Sequence, residues 1–244
     1  MDLVARFTAT LAAEAGAGDD AHLLPGRLAR AAARALGVDG AGLSLLATET
    51  GRSPLGASSP DAARAERLEF TVGTGPCLHA HETGQPVFVV EEDLRRRWPT
   101  YADLLVDETP YRGIASLPLR SPLTRVGAMN LFFVEPADVP RLDVFEALTV
   151  ADLVTSALTD ALVWSSWTVE SGPEWLHSPP ARRRAVVWTA VDRTCVALGV
   201  DAPEALALLR GYSYSAGRSV DSVAADLVGG RLRPADVLGR PVED

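Results

Sequence analysis

The stretch IASLPLRSPLTRVGAMNLFF, residues 114–133, decides the fold. Two β-rich runs, Ile114 to Leu119 and Val126 to Phe133, flank a short polar connection that contains Pro122. Such a pattern reads as two antiparallel strands joined as a hairpin. Working outward, Gly40 to Leu46 reads as a first strand with a turn at Thr50-Gly51, and Pro54 to Ser58 as a second. Gly84-Gln85-Pro86 leads into a further strand, Val87 to Val90. A short Ala- and Arg-rich helix is expected to end near Leu68. The loop Gly73-Thr74-Gly75-Pro76-Cys77 opens another helix, because proline is tolerated in a first turn. After the polar run Glu91 to Arg97 and Trp98-Pro99, a short helix is expected around Tyr101 to Val106.

Helices bracket these strands. Leu3, Val4, Phe7 and Leu11 fall at helical spacing, and a second helix is expected from Asp20 to Leu36, kinked near Pro25-Gly26 and closed by Gly37. A long helix from about Leu142 to Trp164 carries the apolar stripe Val144, Leu148, Ala151, Val154, Leu158, Ala161 and Leu162. The fold class is therefore α+β, a mostly antiparallel sheet flanked by helices. Linker punctuation follows at Ser171-Gly172-Pro173 and Ser178-Pro179-Pro180. Trp164, Trp167 and Trp175 crowd around it and are expected to pack against a domain or a second subunit. Beyond Pro180 the pattern is purely helical: Ala181 to Leu198, Ala202 to Tyr214 and Val220 to Gly229, punctuated by Gly199 and Gly217. Three such helices are marginal without neighbours. The expected organisation is an N-terminal helix (1–19) suited to a dimer contact, an α+β domain (20–164), a linker (165–180), a three-helix unit (181–232) and a tail (233–244).

Composition narrows the function classes. The chain has 244 residues, 47% hydrophobic and 23% charged, and contains no lysine. No stretch approaches a membrane-spanning length, and no secretory leader pattern opens the sequence. Only Cys77 and Cys195 occur, too few for a disulfide scaffold or a self-contained zinc site, so a cytoplasmic protein is expected. The net charge is −9, of which the first 180 residues carry −10 and the remainder +1. That division suits an acidic body with a near-neutral working tail. The run Arg182 to Arg184, taken alone, reads as a solvated helix start.

Residues 20–164 resemble a GAF domain, a sensory fold. The resemblance rests on Gly75-Pro76-Cys77, Thr83-Gly84-Gln85-Pro86-Val87, Trp98-Pro99, Ser116-Leu117-Pro118-Leu119 and Gly127-Ala128-Met129-Asn130-Leu131. Residues from about Arg182 to Leu232 resemble an ANTAR domain, a three-helix antiterminator module. The matching residues there are Val186-Val187, Ala190, Leu198-Gly199-Val200, Glu204-Ala205, Leu209-Arg210, Tyr214, Gly217-Arg218 and Val223-Ala224. The pairing is familiar in actinobacterial regulators. It implies a homodimer that binds tandem hairpin loops in nascent RNA and prevents a terminator from forming, under control of an unknown small-molecule signal. One departure stands out. The first ANTAR helix usually carries a glutamine and, three residues later, a glycine around its alanine; here the run is Thr189-Ala190-Val191-Asp192. A carboxylate on a surface that approaches phosphates opposes the dominant electrostatic attraction, which Arg193 offsets in part.

The resemblance implies RNA contacts at Ala190, Arg193, Arg210, Ser213, Tyr214 and Arg218. Arginine grips phosphate bidentately and stacks on bases, and tyrosine stacks on unpaired loop bases. The competing readings are that Arg210 and Arg218 simply face water, and that Tyr212 or Tyr214 fills the small core. Cys77 and His81, four apart on one helix face, are the candidate ligand-binding pair. A thiol beside an imidazole can be a low-pKa nucleophile or half a metal site, whereas the plainer reading is a buried cysteine near a sensory pocket. His79 points elsewhere and adds no third ligand, so neither a metal nor a resident cofactor is expected. No Gly-Lys-Ser/Thr follows Gly73-Thr74-Gly75, which excludes a P-loop. The expectation is a regulator and not an enzyme, because sulfoxide reductases of this fold cycle several cysteines and the α+β domain has one. The alternatives are a sensory or dimerisation protein whose tail has lost RNA binding, and a DNA-binding helix-turn-helix, disfavoured by Asp221 and Asp226 on the third helix.

Overall fold

The computed structural model describes residues 2–14, 23–46, 52–120, 125–164 and 177–238. The expected helix start at Asp20, the turn at Thr50-Gly51, the hairpin tip 121–124, the linker stretch 165–176 with Trp167 and Trp175, and the tail past residue 238 lie outside the described residues.

Five strands, β1 (Gly40–Leu46), β2 (Arg52–Ala57), β3 (Val87–Val90), β4 (Gly113–Arg120) and β5 (Arg125–Phe133), form one antiparallel sheet in the order β2-β1-β5-β4-β3. The helices are α1 (Leu3–Glu14), α2 (Leu24–Leu36), α3 (Pro60–Val72), α4 (Pro76–Thr83), α5 (Glu91–Arg97), α6 (Pro99–Glu108) and α7 (Val144–Trp164). Three more, α8 (Pro179–Leu198), α9 (Ala202–Ser215) and α10 (Val220–Val228), complete the chain's helical tail.

Because side chains alternate across a strand, one sheet face is apolar and the other mixed. Ala41 and Leu43 of β1, Ala115, Leu117 and Leu119 of β4, and Met129, Leu131 and Phe133 of β5 are buried in one core with α1, α2 and α7. The opposite face carries Ile114 and Phe132, packed with α3, α4 and α6, together with the buried polar residues Ser44, Ser116 and Asn130. A sheet between two helical layers results. Helix α1 packs on this body by one face: Phe7 is buried, Arg6 pairs with Glu146 of α7 at 3.3 Å, and Glu14 pairs with Arg30 at 2.5 Å.

Three expectations change in detail. The polar run 91–97 is itself a helix, with Glu91, Glu92 and Asp93 in the first turn and Arg95, Arg96 and Arg97 in the last. That order complements the helix dipole, and the Glu91–Arg95 pair at 2.9 Å adds support. The helix ending near Leu68 continues to Val72, where Gly73 adopts φ +83° and stops it. On α7 the buried residues are Ala147, Val150, Ala151, Val154 and Leu158, while Val144 opens to solvent.

The three tail helices are each capped by a short polar side chain: Ser178, Asp201 and Ser219 accept from Ala181 N, Glu204 N and Ser222 N. They do not stand alone. Phe70 of α3 is buried within their apolar core beside Val187, Leu206 and Leu209. Val220 N donates to Thr71 Oγ1 at 3.3 Å, and Ser178 Oγ donates to the Leu55 carbonyl at 2.8 Å. The neighbour that a small helical unit needs is therefore the sheet domain itself.

Candidate functional site

Helix α3 places Glu66 and Glu69 one turn apart, both facing the sheet and almost completely buried. A buried carboxylate needs several donors to replace its lost hydration. Glu66 accepts from Ser44 Oγ and from Asn130 Nδ2, each at 2.6 Å. Asn130 is the hub, since its Oδ1 accepts from Ser116 Oγ at 2.6 Å, directly across the β4–β5 ladder. Glu69 Oε1 accepts from Cys77 N at 2.8 Å and Leu78 N at 3.4 Å. Those are first-turn amides of α4, whose N-cap is Gly75 and supplies no side chain. Glu69 thus caps α4 from another helix, where the dipole also favours its charge.

Two glycines make room for the carboxylates. A Cβ on Gly42 would lie 2.5 Å from Glu66 Oε1, and one on Gly75 would lie 2.6 Å from Glu69 Cδ. The network is thus a tie between sheet, α3 and α4, in the layer where the sheet's polar residues face the helices.

Cys77 is fully buried beside Ala128, and His81 is partly exposed. Cys77 N serves the Glu69 cap, so the structure gives this segment a structural part in the network. His79 packs edge-on to Trp98 at 5.9 Å. Neither cysteine is bridged, and no group of three or more potential metal ligands occurs among the described residues. No described helix is long and apolar enough to cross a membrane.

The six tail residues singled out in the sequence are divided by the structure. Ala190 and Ser213 are fully buried in the helical core, so neither offers a surface as the chain stands. Arg193 is exposed and its Nη1 donates to the Val228 carbonyl at 2.8 Å, closing the C-terminal end of α10. Arg218 sits at the other end of α10, bonded to Asp226 at 2.6 Å and Ser222 Oγ at 2.7 Å. Tyr214 is 56% exposed near Arg218, while Tyr212 packs against the helical core. Arg210 is held by the sheet domain: its Nε donates to the Phe70 carbonyl at 3.0 Å, and its guanidinium lies 5.0 Å from the Phe70 ring centroid.

Arg184 corrects the expectation of a solvated arginine run. Arg182 and Arg183 are exposed, but Arg184 is buried, 3.1 Å from the Phe70 ring centroid and ion-paired with Asp221 at 3.4 Å. Its position on α8 directs it inward, where Asp221 and an aromatic face replace water. Asp226 is held below the usual carboxylate range by hydrogen bonds from Arg218 and then Arg231. Both acids of α10 thus fasten the unit internally.

Sequence reading missed Glu66, Glu69, Asn130 and Phe70. The available signal was the pattern Ala62, Ala65, Glu66, Glu69: two carboxylates on the same face of α3 as two small apolar residues, which helical periodicity points into a core.

The family model described as GAF domain matches residues 26–159, just over half of the chain. No curated protein matches it. Among solved structures, the GAF domain of a phosphoenolpyruvate-protein phosphotransferase from Coxiella burnetii is 15% identical at a TM-score of 0.45, covering 66% of this chain and 95% of that one. The equivalent GAF domain from Acinetobacter is 13% identical at 0.46, covering 69% and 99%. The free methionine-R-sulfoxide reductase of Neisseria meningitidis is 16% identical at 0.38, covering 66% and 95%. The matched span runs from α2 to α7 and takes in the whole sheet with its buried network; on that match, the chain belongs to the GAF domain family.

Proposed function

We propose that this chain is a signal-responsive RNA-binding regulator, a homodimer that acts by transcription antitermination on tandem hairpin loops and carries out no catalysis. A GAF domain suits the sensing half of that role. The observation that carries the reading is the bond from Arg210 to the Phe70 carbonyl. The arginine that the ANTAR resemblance assigns to RNA is occupied by the sensory domain, so a signal that shifts α3 would release it. Tyr214 and Arg193 already face solvent and suit stacking and phosphate contact. A two-fold dimer would meet two loops at once, raising avidity without new contacts.

Asp192 favours a second reading. It is exposed on α8 beside Arg193, where a carboxylate would face the phosphates. In that reading the helical unit is a dimerisation or protein-contact module that no longer binds RNA.

Binding of the purified chain to a tandem-hairpin RNA at low and moderate salt separates the two. The regulator reading expects binding that weakens with salt and with Arg210→Ala. Binding by Asp192→Gly alone would mean an RNA module silenced by one charge. No binding by native protein, Phe70→Ala or Asp192→Gly would end the RNA reading.

A further inference from the structure

A cleft of about 330 Å³ separates the sensory domain from the helical unit. Arg64, Arg67 and Thr71 of α3 line one wall, and Arg218, Ser219 and Ser222 line the other. Two of the arginines are engaged: Arg64 with Glu108 at 2.7 Å, and Arg218 with Asp226 at 2.6 Å. Arg67 makes no hydrogen bond or ion pair at contact distance among the described residues, although it is half-buried. Burial works against its charge, as do Arg183 and Arg64 nearby, and Asp221 offsets this only in part. A half-buried cation with no contact partner among the described residues thus stands at the wall of a cavity, where an anion can reach it.

We propose that the cleft binds a small organic phosphate monoester, of about the size of a nucleoside monophosphate. The charge fits. Glu108 balances Arg64 and Asp226 balances Arg218, which leaves Arg67 as the uncompensated charge on the lining, while both paired arginines keep further N–H donors for a phosphate. Arg67 and Arg218 would hold it from opposite walls, with the Ser219 and Ser222 hydroxyls beside Arg218. The size fits too, since cavities of a few hundred Å³ hold compounds of that class. Leu68, Leu104 and the exposed Tyr214 supply an apolar flank for the non-phosphate part. A ligand gripped from both walls fastens the helical unit onto α3. It therefore favours the arrangement in which Arg210 stays on Phe70. The site itself stands on the cleft and does not depend on RNA binding.

The test is calorimetric titration of the full chain with adenosine 5′-monophosphate and guanosine 5′-monophosphate, beside adenosine and inorganic phosphate. A monophosphate is expected to bind and to raise the melting temperature, and adenosine to do neither. Arg67→Gln and Arg218→Gln should each weaken binding by about tenfold or more, as loss of a charge-assisted contact does. Arg67→Lys should keep part of the affinity, and circular dichroism verifies that the variants fold. Failure of both monophosphates to bind at millimolar concentration overturns the proposal, as does binding unaffected by Arg67→Gln. Inorganic phosphate binding as tightly as the esters would overturn the organic assignment. Displacement of a bound monophosphate by hairpin RNA, with stronger RNA binding lost in Arg67→Gln, would reassign the cleft to RNA.

Discussion

Arg210 Nε donates to the Phe70 carbonyl at 3.0 Å, across 140 positions of sequence. The relationship gains meaning from the residues beside Phe70 on α3. Glu66 and Glu69 belong to the polar network under the sheet, Arg67 lines the interdomain cleft, and Phe70 and Thr71 hold the helical unit. One helix thus touches the interior of the GAF domain, the cleft and the helical unit within six residues. Phe70 is the side chain by which α3 is packed into the core of the helical unit.

Phe70→Ala should therefore uncouple the two units. Its ring lies against the Arg184 guanidinium and is edged by Trp188 at 6.3 Å, so truncation leaves a cavity beside a buried charge. Loss of such a ring costs about 3–5 kcal/mol. Urea denaturation is expected to change from one transition to two, the helical unit unfolding first. A single transition with an unchanged midpoint would show that Phe70 is not the fastening.

Asn130→Ala removes the hub of the network, taking from Ser116 the acceptor Oδ1 and from Glu66 the Nδ2 donor. Stranding buried polar groups costs about 1–3 kcal/mol apiece. Asn130→Asp should be worse still at neutral pH, because it sets a third carboxylate against Glu66 and Glu69. Thermal melts of the two variants at pH 7 check the ranking; an aspartate variant as stable as the native chain contradicts it.

Gly42→Ala tests the fit of Glu66. The added Cβ would meet Glu66 Oε1 at 2.5 Å and Cγ at 2.8 Å, within a sheet that cannot easily yield. The expected loss is about 1–3 kcal/mol, as for other overpacked sites. Combining it with Glu66→Ala should cost less than the two separate losses added together, because the clash has been removed. Additive losses in that double-mutant cycle would mean that Gly42 matters for another reason.

The sheet was legible in the sequence because its strands alternate and its turns carry glycine and proline, so β1 and β3 fall on the residues expected. Helix α5 was not, because its stability comes from charge order along the helix and not from an apolar stripe. The buried network was half hidden: periodicity turns Glu66 and Glu69 toward a core, but nothing local tells that the sheet face opposite offers Asn130 and Ser44. Long-range partners decide which acids are inside. The same holds for Arg184, whose neighbours Arg182 and Arg183 do face solvent.

The acid limb of stability should report the clasp around Asp226. Arg218 and then Arg231 hold its carboxyl below the usual range, so the folded state binds its proton less readily than the unfolded chain. The contribution is therefore complete above the unfolded value of about 4 and fades as the pH falls through the lower folded value. Protonation also frees Arg218, which borders the cleft. Denaturation midpoints measured from pH 6 downward should fall more steeply for the native chain than for Asp226→Asn, which lacks the contribution at every pH. The two curves should converge at the acid end, where both carry a neutral group at that position. Parallel curves would mean that the Arg218–Asp226–Arg231 contacts add nothing to the folded state beyond what the unfolded chain already has.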